Sequence, residues 1–320
     1  MKATVYKSTG SWYVVKSDPD SYREGVTYNA RIKGKFKIDD ITSTNPIAVG
    51  DHVEIEMENE GEGSVVINKI LDRKNYITRQ SPHNKHQHHI VAANLDQSLL
   101  FATLKDPKTS QGFIDRFLVT SEAYHLPSII VFNKADLHKK KEEQKLDELK
   151  NIYEAIGYKV MAMSIEKNTG VEEVKALLKD KITLLTGHSG VGKSSFINFI
   201  FPELKLKTQD VSGWSGKGLH TTTFAEMFDL AFCPKDSFGG GKVIDTPGLR
   251  EFALMDISKQ ELSHYFPEML SLINDCQFNN CMHINEPGCA VKEAVNIGSI
   301  ATDRYVSYLT LLEGIEKKTW

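Results

Sequence analysis

Residues 187–195, GHSGVGKSS, have the types and spacing of a loop that binds phosphate. In the pattern G-x-x-x-x-G-K-S, backbone amides and a helix N-terminus surround the phosphates, the lysine reaches the outer phosphates and the serine binds magnesium. The loop lies between the apolar runs KITLLT and SSFINFIF, and this strand–loop–helix setting argues against a chance glycine-rich turn. We therefore expect Lys193 to act in catalysis and Ser194 to bind Mg²⁺. The expected nucleotide contacts are Gly187, His188, Ser189, Gly190, Val191, Gly192, Lys193, Ser194 and Ser195.

A second motif, IIVFNKAD at 129–136, indicates which base is bound. An aspartate at the end of a strand can accept hydrogen bonds from the N1 and N2 hydrogens of guanine. Adenine offers neither donor, and a buried carboxylate left unpaired would be costly. We expect Asn133, Lys134 and Asp136 to bind guanine, with Ser164, after the run KVMAM, lining the base. The alternative is that the motif is an exposed turn.

A third group of residues is expected to complete the magnesium shell and contact the γ-phosphate. The motif DTPG ends the apolar run GKVI; Asp245 is expected to hold Mg²⁺ through water, and the amide of Gly248 to sense the γ-phosphate. In the preceding segment VSGWSGKGLHTTTF, we expect Thr222 to complete the magnesium shell and to take part in catalysis. Glycine-rich segments of this kind order with the triphosphate and loosen after hydrolysis.

The order of these motifs differs from that of ordinary GTPases. There the phosphate loop comes first, whereas here the Asn-Lys-x-Asp element precedes it. A parallel sheet is defined by its neighbouring strands, so its connections can be rejoined wherever the termini lie at the surface. Joining the ends of an ordinary GTPase and opening it after DTPG gives the order seen here. We predict a circularly permuted GTPase in which the segment after DTPG leads into the C-terminal region.

The stretches around these motifs follow the pattern of an α/β domain. From 95 to 250, apolar runs alternate with helical stretches, which predicts a parallel sheet covered on both faces. The charged stretch at 139–150 is typical of a helix that faces solvent. After 256 the pattern is helical, apart from a cysteine cluster and its loop.

The N-terminal residues 1–80 instead alternate apolar and polar side chains in short runs, which predicts a small antiparallel β-barrel. Period two places two charged sets on strand faces. The basic set is Arg31, Lys33, Lys35 and Lys37, and the acidic set is Glu54, Glu56 and Glu58. The basic face could bind RNA, as on an oligonucleotide-binding (OB) barrel, or form ion pairs across strands. Charge alone leaves both interpretations open.

Residues 79–92, RQSPHNKHQHHIVA, lose this alternation and predict a linker. Histidines at 83, 86, 88 and 89 could bind metal. Without carboxylate or cysteine companions, a solvated connector is the favoured interpretation.

A cluster near the C-terminus has the spacing of a metal site. Cys276, Cys281, His283 and Cys289 read C-x4-C-x-H-x5-C. Three thiolates and one imidazole make a closed tetrahedral site, which predicts one structural Zn²⁺ per chain and not a catalytic one. Free core cysteines are the alternative, but four soft ligands rarely cluster within so few residues otherwise. The remaining cysteine, Cys233, is expected to be an ordinary thiol.

Bulk composition limits the class of protein. The chain of 320 residues is 40% hydrophobic and 25% charged, as expected of a globular protein with two or three domains. It has no secretory signal pattern and no apolar run of the ~18 residues that a membrane span needs. We expect a cytoplasmic monomer with no membrane partner. The net charge of −3 means that any RNA contact must come from local patches.

Together these features resemble the small ribosomal subunit-dependent GTPase A family (RsgA, also called YjeQ) over essentially the whole chain. The matching stretches are AANLDQ at 92–97, NKAD, GHSGVGKSS, GLHTTT at 218–223, DTPGLR and CQFNNCMHINEPGCAV. The family usually has arginine where Leu219 stands. The expected fold is α/β: an OB-fold RNA-binding barrel (1–80), a circularly permuted P-loop GTPase domain (81–252) and a helical zinc-binding domain (253–320).

The resemblance implies a late assembly factor of the small ribosomal subunit. The barrel and the zinc domain would dock on the subunit's rRNA, and the subunit would stimulate hydrolysis of Mg²⁺-bound GTP to GDP. One residue supports a need for stimulation. Leu249 stands where many GTPases carry a glutamine that orients water, so unaided hydrolysis should be slow.

We hypothesise that His220 replaces this glutamine, as a catalytic residue, once an RNA partner orders its segment. The alternative is that His220 only packs or contacts RNA. Two rival functions remain open. One is a GTP-gated RNA-binding switch or chaperone with incidental hydrolysis. The other is a GTPase of membrane or metal traffic, which no amphipathic anchor or lipidation motif favours.

Overall fold

The computed structural model describes residues 1–19, 24–33, 46–58, 64–80, 88–204, 225–230, 240–246 and 257–316. The strands are β1 (Lys2–Ser8), β2 (Tyr13–Ser17), β3 (Thr27–Ile32), β4 (His52–Met57), β5 (Ser64–Ile70), β6 (Tyr76–Gln80), β7 (His88–Ala93), β8 (Gln97–Ala102), β9 (Ser128–Phe132), β10 (Lys159–Ala162), β11 (Ile182–Thr186), β12 (Glu226–Asp229) and β13 (Lys242–Asp245). The α-helices are α1 (Gln111–Ala123), α2 (Lys140–Ala155), α3 (Val171–Ala176), α4 (Lys193–Ile200), α5 (Pro267–Leu270), α6 (Ala290–Asn296) and α7 (Thr302–Glu316).

Strands β1 to β5 form a barrel in the order β1-β2-β3-β5-β4, which closes where β4 pairs with β1. Strands β3 and β5 are parallel, and the other neighbours are antiparallel. Alternate side chains point inward, so Val5, Val15 and Val53 are fully buried in the barrel core. The predicted barrel is confirmed, but the expectation that all its strands are antiparallel is wrong for the pair β3 and β5. The predicted runs do not include β1, whose sequence KATVYKS has charge at both ends.

Two charged residues of the basic set form ion pairs across the barrel surface. Arg31 pairs with Glu58, and Lys33 Nζ lies 3.6 Å from Glu56 Oε2. These pairs link β3 and its continuation with β4 and its continuation, across the intervening strand β5. The ion-pair interpretation therefore applies to Arg31 and Lys33, whereas Lys35 and Lys37 lie outside the described residues.

The linker predicted over 79–92 is wrong at both ends. Strands β6 and β7 pair as an antiparallel hairpin, with Arg79 opposite His89 and Ile77 opposite Ala92. Main-chain hydrogen bonds hold this hairpin together. Its polar sequence lacks the alternation of apolar and polar residues from which a strand is predicted. Residues 81–87, which include two of the four histidines, lie outside the described part of the chain.

The central sheet has the strand order β10-β9-β8-β11-β13-β12. The first five strands are parallel, as predicted, and β12 is antiparallel to β13. The short polar sequence EMFD of β12 gave no strand signal. Strand β11 lies between β8, which precedes it by more than 80 residues, and β13, which follows it. Elements from both ends of this region are thus interleaved, as the permutation requires.

Two hydrophobic clusters cover the two faces of this sheet. One contains Phe117 of α1 and Tyr153 of α2, and the other contains Val174 of α3 and Phe196 of α4; all four are fully buried. A third cluster lies in the C-terminal region, where Phe266 and Tyr308 pack around the short helices. The helical character predicted after 256 is confirmed for residues 257–316. Among the described residues, no helix is long and apolar enough to cross a membrane.

Among the described residues, two main-chain contacts join the barrel to the rest of the chain. At one, β1 pairs with β12 through Lys7 and Glu226, which makes the barrel continuous with the central sheet. At the other, Val49 forms a bridge with Ala92 of β7. The first of these contacts brings the barrel to the strand next to the DTPG strand, β13.

Gly50 allows the second contact. Its φ is +92°, and a Cβ there would lie 2.1 Å from the carbonyl oxygen of Ala93. Only glycine fits so close an approach of two backbones. The side-chain amide of Asn94 donates to the carbonyl oxygen of Gly50 at 2.9 Å, which closes the junction.

The C-terminal helices join the central domain through buried side chains. Arg304 of α7 donates from Nη1 to Asp115 Oδ1 of α1 at 2.7 Å and from Nε to Glu268 Oε1 at 2.7 Å. Tyr153 and Ser307 donate to the same Asp115 carboxylate, at 2.8 and 2.5 Å. Arg304 and Asp115 are 1% and 0% exposed. Because a buried charge must be paired, this network fixes the position of α7 against α1.

Candidate nucleotide site and metal centre

The phosphate loop connects the end of β11, at Thr186, to the start of α4, at Lys193. Gly187, Gly190 and Gly192 all have positive φ, a conformation that glycine adopts without strain. A Cβ on Gly187 would lie 2.2 Å from the carbonyl oxygen of Phe101. The loop therefore curls closely over the end of β8.

The Asn-Lys-x-Asp element touches this loop directly. The side-chain amide of Asn133 donates to the carbonyl oxygen of Val191 at 2.8 Å. A Cβ on Gly192 would lie 2.3 Å from Asn133 Nδ2, so the contact itself requires glycine. Asn133 is 1% exposed. The two motifs, 58 residues apart and in reversed order along the chain, thus form one site.

The predicted base-binding residues lie together beside that contact. Ser164 Oγ donates to Asp136 Oδ1 at 2.5 Å, and the Lys167 amide donates to Ser164 Oγ at 3.1 Å. Ser164 is buried, whereas Asp136 is exposed and able to meet a ligand. Lys134 has φ of +60° and extends its Nζ to the carbonyl oxygen of Asp106, 2.5 Å away. The serine fixes one carboxylate oxygen and orients the other.

At the phosphate end, Lys193 and Asp245 are half-buried and lie close enough to interact electrostatically. Lys193 Nζ donates to the carbonyl oxygens of Gly187 and His188, at 2.8 and 3.1 Å. Burial lowers the pKa of Lys193, and the nearby Asp245 carboxylate opposes this shift. Burial raises the pKa of Asp245, and Lys193 opposes that shift in turn. A ligand that places negative charge near Lys193 and positive charge near Asp245 would stabilise the charged forms of both side chains.

Asp245 fits a site for a hydrated cation. Its Oδ1 atom is buried and has no hydrogen-bond partner among the described residues. An orphaned carboxylate oxygen is costly unless a ligand or water satisfies it. The residues present are therefore suited to Mg²⁺ held through water, which is how magnesium usually binds beside phosphates.

The remaining predicted nucleotide contacts lie along the loop and in the first turn of α4. Ser194 and Ser195 are the second and third residues of α4, and Ser195 is exposed. The ring of His188 packs on Phe113 of α1 with centroids 3.8 Å apart. Three residues predicted for the site, His220, Thr222 and Gly248, lie outside the described residues, as do Leu219, Cys233 and Leu249.

The four predicted metal ligands converge in the C-terminal region. The ligand atoms of Cys276, Cys281, His283 and Cys289 all lie within 4.8 Å of one another. His283 Nδ1 is 3.6 Å from the sulfur of Cys276 and 3.3 Å from that of Cys289. Burial lowers the pKa of His283, which favours the neutral imidazole that a metal requires. This cluster could hold a metal ion with four soft ligands.

Neighbouring groups hold the cluster in shape. The Glu286 carboxylate accepts hydrogen bonds from the amides of Met282, Ile284 and Asn285, at 2.8 to 3.0 Å. Tyr305 donates to the carbonyl oxygen of His283 at 2.6 Å. The loop is thus tied to itself and to α7, and α7 is the helix that carries Arg304.

Sequence reasoning missed two features of the site. The first is the contact of Asn133 with the phosphate loop, for which the glycine at 192 is the one sequence signal. The second is Glu226, which lies opposite Asp245 on the neighbouring strand. No local pattern marks Glu226 as a neighbour of Asp245, because that position depends on which strand pairs with β13.

The fold and the site define a P-loop GTPase whose motifs are circularly permuted. The chain matches the profile of the RsgA GTPase family over residues 70–255, and that of the RsgA N-terminal domain over residues 2–65. It belongs to the RsgA GTPase family and is a GTPase, a hydrolase.

Relatives and solved structures agree with this assignment. A protein of Flavobacterium psychrophilum named small ribosomal subunit biogenesis GTPase RsgA is 49% identical, over 98% of this chain and 93% of its own. One of Bacteroides thetaiotaomicron, small ribosomal subunit biogenesis GTPase RsgA 2, is 48% identical over 99% and 98%. The crystal structure of YjeQ from Thermotoga maritima has a TM-score of 0.74 at 35% identity, over 98% of each chain. The crystal structure of YloQ, a circularly permuted GTPase, has a TM-score of 0.72 at 28% identity, over 99% of this chain and 95% of that one.

Proposed function

We propose that this GTPase acts in the biogenesis of the small ribosomal subunit, and that the subunit stimulates its hydrolysis of GTP to GDP and phosphate. The names of its relatives support the first part. The observation that carries the nucleotide site is the contact of Asn133 with Val191, since it joins the base motif to the phosphate loop.

Each site residue has a proposed role. Asp136, oriented by Ser164, accepts the N1 and N2 hydrogens of guanine, and Asn133 and Lys134 hold the wall of the base pocket. Lys193 reaches the outer phosphates, and the amides of the loop surround them. Ser194, Thr222 and Asp245 hold Mg²⁺, and Gly248 contacts the γ-phosphate. When bound, Mg²⁺ neutralises the charge that develops on the phosphates.

The metal of the cysteine cluster is proposed to be Zn²⁺ in a structural role. Three thiolates and one imidazole are typical zinc ligands, and they leave no open position for water. The division into a barrel (1–80), a GTPase domain (81–252) and a zinc-binding domain (253–320) belongs to the same proposal. Both outer parts are proposed to contact rRNA, with the chain acting as a cytoplasmic monomer.

His220 is proposed to orient the attacking water once rRNA binds. The position after DTPG carries Leu249, which cannot hydrogen-bond to water. Another group must therefore supply that contact, and His220 stands two positions before Thr222, the threonine proposed to hold Mg²⁺.

The test is the GTPase rate of the full chain with small subunits, large subunits or free RNA added. Small subunits should raise the rate strongly, and the effect should weaken with salt, because RNA contacts displace counterions. An unchanged rate together with GTP-dependent subunit binding would instead indicate a GTP-gated RNA-binding switch. Activation by large subunits alone would contradict the proposal that the small subunit is the partner. Unchanged stimulation of His220→Ala would remove His220 from the mechanism.

A further inference from the structure

A row of charged side chains connects the barrel to the magnesium end of the nucleotide site. In the strand register, Lys7 of β1 lies opposite Glu226 of β12, and Glu226 lies opposite Asp245 of β13. Directly opposed residues share one face of a sheet, with Cβ atoms about 4.5–5.5 Å apart. Positive, negative and negative side chains therefore follow one another across three strands that belong to two parts of the molecule.

The contacts within this row are uneven. Lys7 Nζ lies 3.0 Å from Glu226 Oε2, and the two side chains are 38% and 32% exposed. Glu226 and Asp245 carry like charges on opposed positions, which destabilises a sheet unless a cation intervenes. Lys7 supplies one cation, from the barrel. The site proposed at Asp245 supplies a second, the metal ion.

We propose that Glu226 is a second carboxylate of the magnesium site, and that Lys7 of the barrel competes with the metal ion for its charge. This inference rests on the proposed binding of Mg²⁺ and GTP at Asp245. Magnesium keeps several of its waters in such sites, so Glu226 acts on the hydrated ion without replacing Asp245.

The barrel thereby influences nucleotide binding from outside the central domain. A partner that shifts the barrel and draws Lys7 away leaves the full charge of Glu226 facing the metal. Metal affinity then rises. By thermodynamic reciprocity, Mg²⁺ and GTP loosen the ion pair between the barrel and β12.

The opposite face of the same strand provides a matched control. Asp229 lies three positions after Glu226 and so points to the other face, because side chains alternate along a strand. There it accepts from Tyr6 at 2.6 Å and lies 2.5 Å from Lys16 Nζ. Lys16 thus also ties the barrel to β12, but away from Asp245.

The experiment measures binding of a fluorescent GTP analogue to the full chain across a range of Mg²⁺ concentrations. Glu226→Gln should raise the half-saturating Mg²⁺ concentration about two- to fivefold, the effect of one partly exposed charge. Lys7→Met should lower it by a similar factor. The double variant should match Glu226→Gln, because Lys7 acts only through Glu226. Lys16→Met should match the unmodified chain.

A charge swap separates this role from simple attachment. Lys7→Glu with Glu226→Lys keeps the ion pair but places a cation beside Asp245, so the Mg²⁺ requirement should rise above that of Glu226→Gln. An unchanged requirement in Glu226→Gln or in the swap, or equal effects of Lys7→Met and Lys16→Met, would overturn the inference. Lys193→Ala serves as the reference for the site itself. If Lys193→Ala and Glu226→Gln both bind the analogue like the unmodified chain, the proposed nucleotide site fails. If Lys193→Ala loses binding while Glu226→Gln leaves the Mg²⁺ requirement unchanged, only the role of Glu226 fails.

Discussion

The two junctions of the central domain differ in the kind of contact that holds them. At the barrel junction, strand pairing and the close approach at Gly50 join main chain to main chain. The ion pair beside the strand pairing, Lys7 with Glu226, is partly exposed. At the C-terminal junction, Arg304 and Asp115 are buried side chains that satisfy each other.

This difference determines which substitutions each junction can tolerate. Partly exposed ion pairs contribute about 0–1 kcal/mol, because water screens them and ordering the side chains costs entropy. Removing one partner of a buried pair costs about 3–5 kcal/mol, because the other charge is left without a partner. Side-chain changes should therefore damage the C-terminal junction far more than the barrel junction. The barrel junction should be sensitive to its backbone instead.

The largest expected effect is that of metal removal on the C-terminal side. Cys289→Ala, or a chelator added to the metal-loaded chain, should release residues 257–316 to rapid hydrogen exchange. Structural zinc stabilises small domains by on the order of 10 kcal/mol, and the buried Cys289 also belongs to the local core. Exchange within the barrel strands should not change. Equal loss of protection in the barrel strands and the C-terminal helices would mean that the two regions unfold together, which contradicts this prediction.

The next effect is that of Arg304→Met, which leaves Asp115 and Glu268 buried without their cation. The free energy of unfolding, from urea titration, should fall by about 3–5 kcal/mol. Adding Asp115→Asn to this variant should recover part of the loss, since fewer buried charges then lack a partner. A loss below about 1 kcal/mol would show that the junction does not depend on this pair.

The smallest of the three effects is that of Gly50→Ala at the barrel junction. The added methyl group meets the Ala93 carbonyl oxygen, and the positive φ costs about 1–3 kcal/mol in addition. Gly10→Ala is the control, because Gly10 has φ of +91° but nothing within 4 Å of its Cβ position. Gly50→Ala should destabilise the chain more than Gly10→Ala does. Equal effects would mean that strain alone matters and the close approach does not.

The sequence allowed prediction of those parts of the site that depend on local spacing. The phosphate loop and the metal ligands are set by the distances between a few residues along the chain, and these residues do converge. The order of the motifs also predicted the interleaved sheet. Near-continuous apolar runs such as SIIVF marked strands that are buried on both faces.

The features that escaped prediction depend on distant partners. Asp115 lies 189 residues from Arg304, and each would be read locally as an ordinary charge on a helix. The proposed role of Glu226 depends on Lys7 and Asp245, which are its neighbours only in the folded sheet. The hairpin at β6 and β7 is held by main-chain pairing that side-chain alternation does not reveal. Only their tertiary contacts distinguish Asp115, Arg304 and Glu226 from ordinary charged residues on the surface.

The central claim is that Asp136 and Lys193, in reversed order along the chain, hold the two ends of one guanine nucleotide. The direct measurement is the binding of GTP and xanthosine triphosphate to Asp136→Asn. Xanthine has an oxygen where guanine has its N2 amino group, so an asparagine amide can donate to it where the aspartate could only accept. GTP should bind at least tenfold more weakly and the xanthine nucleotide more tightly than to the unmodified chain. Unchanged preference for GTP would contradict the account.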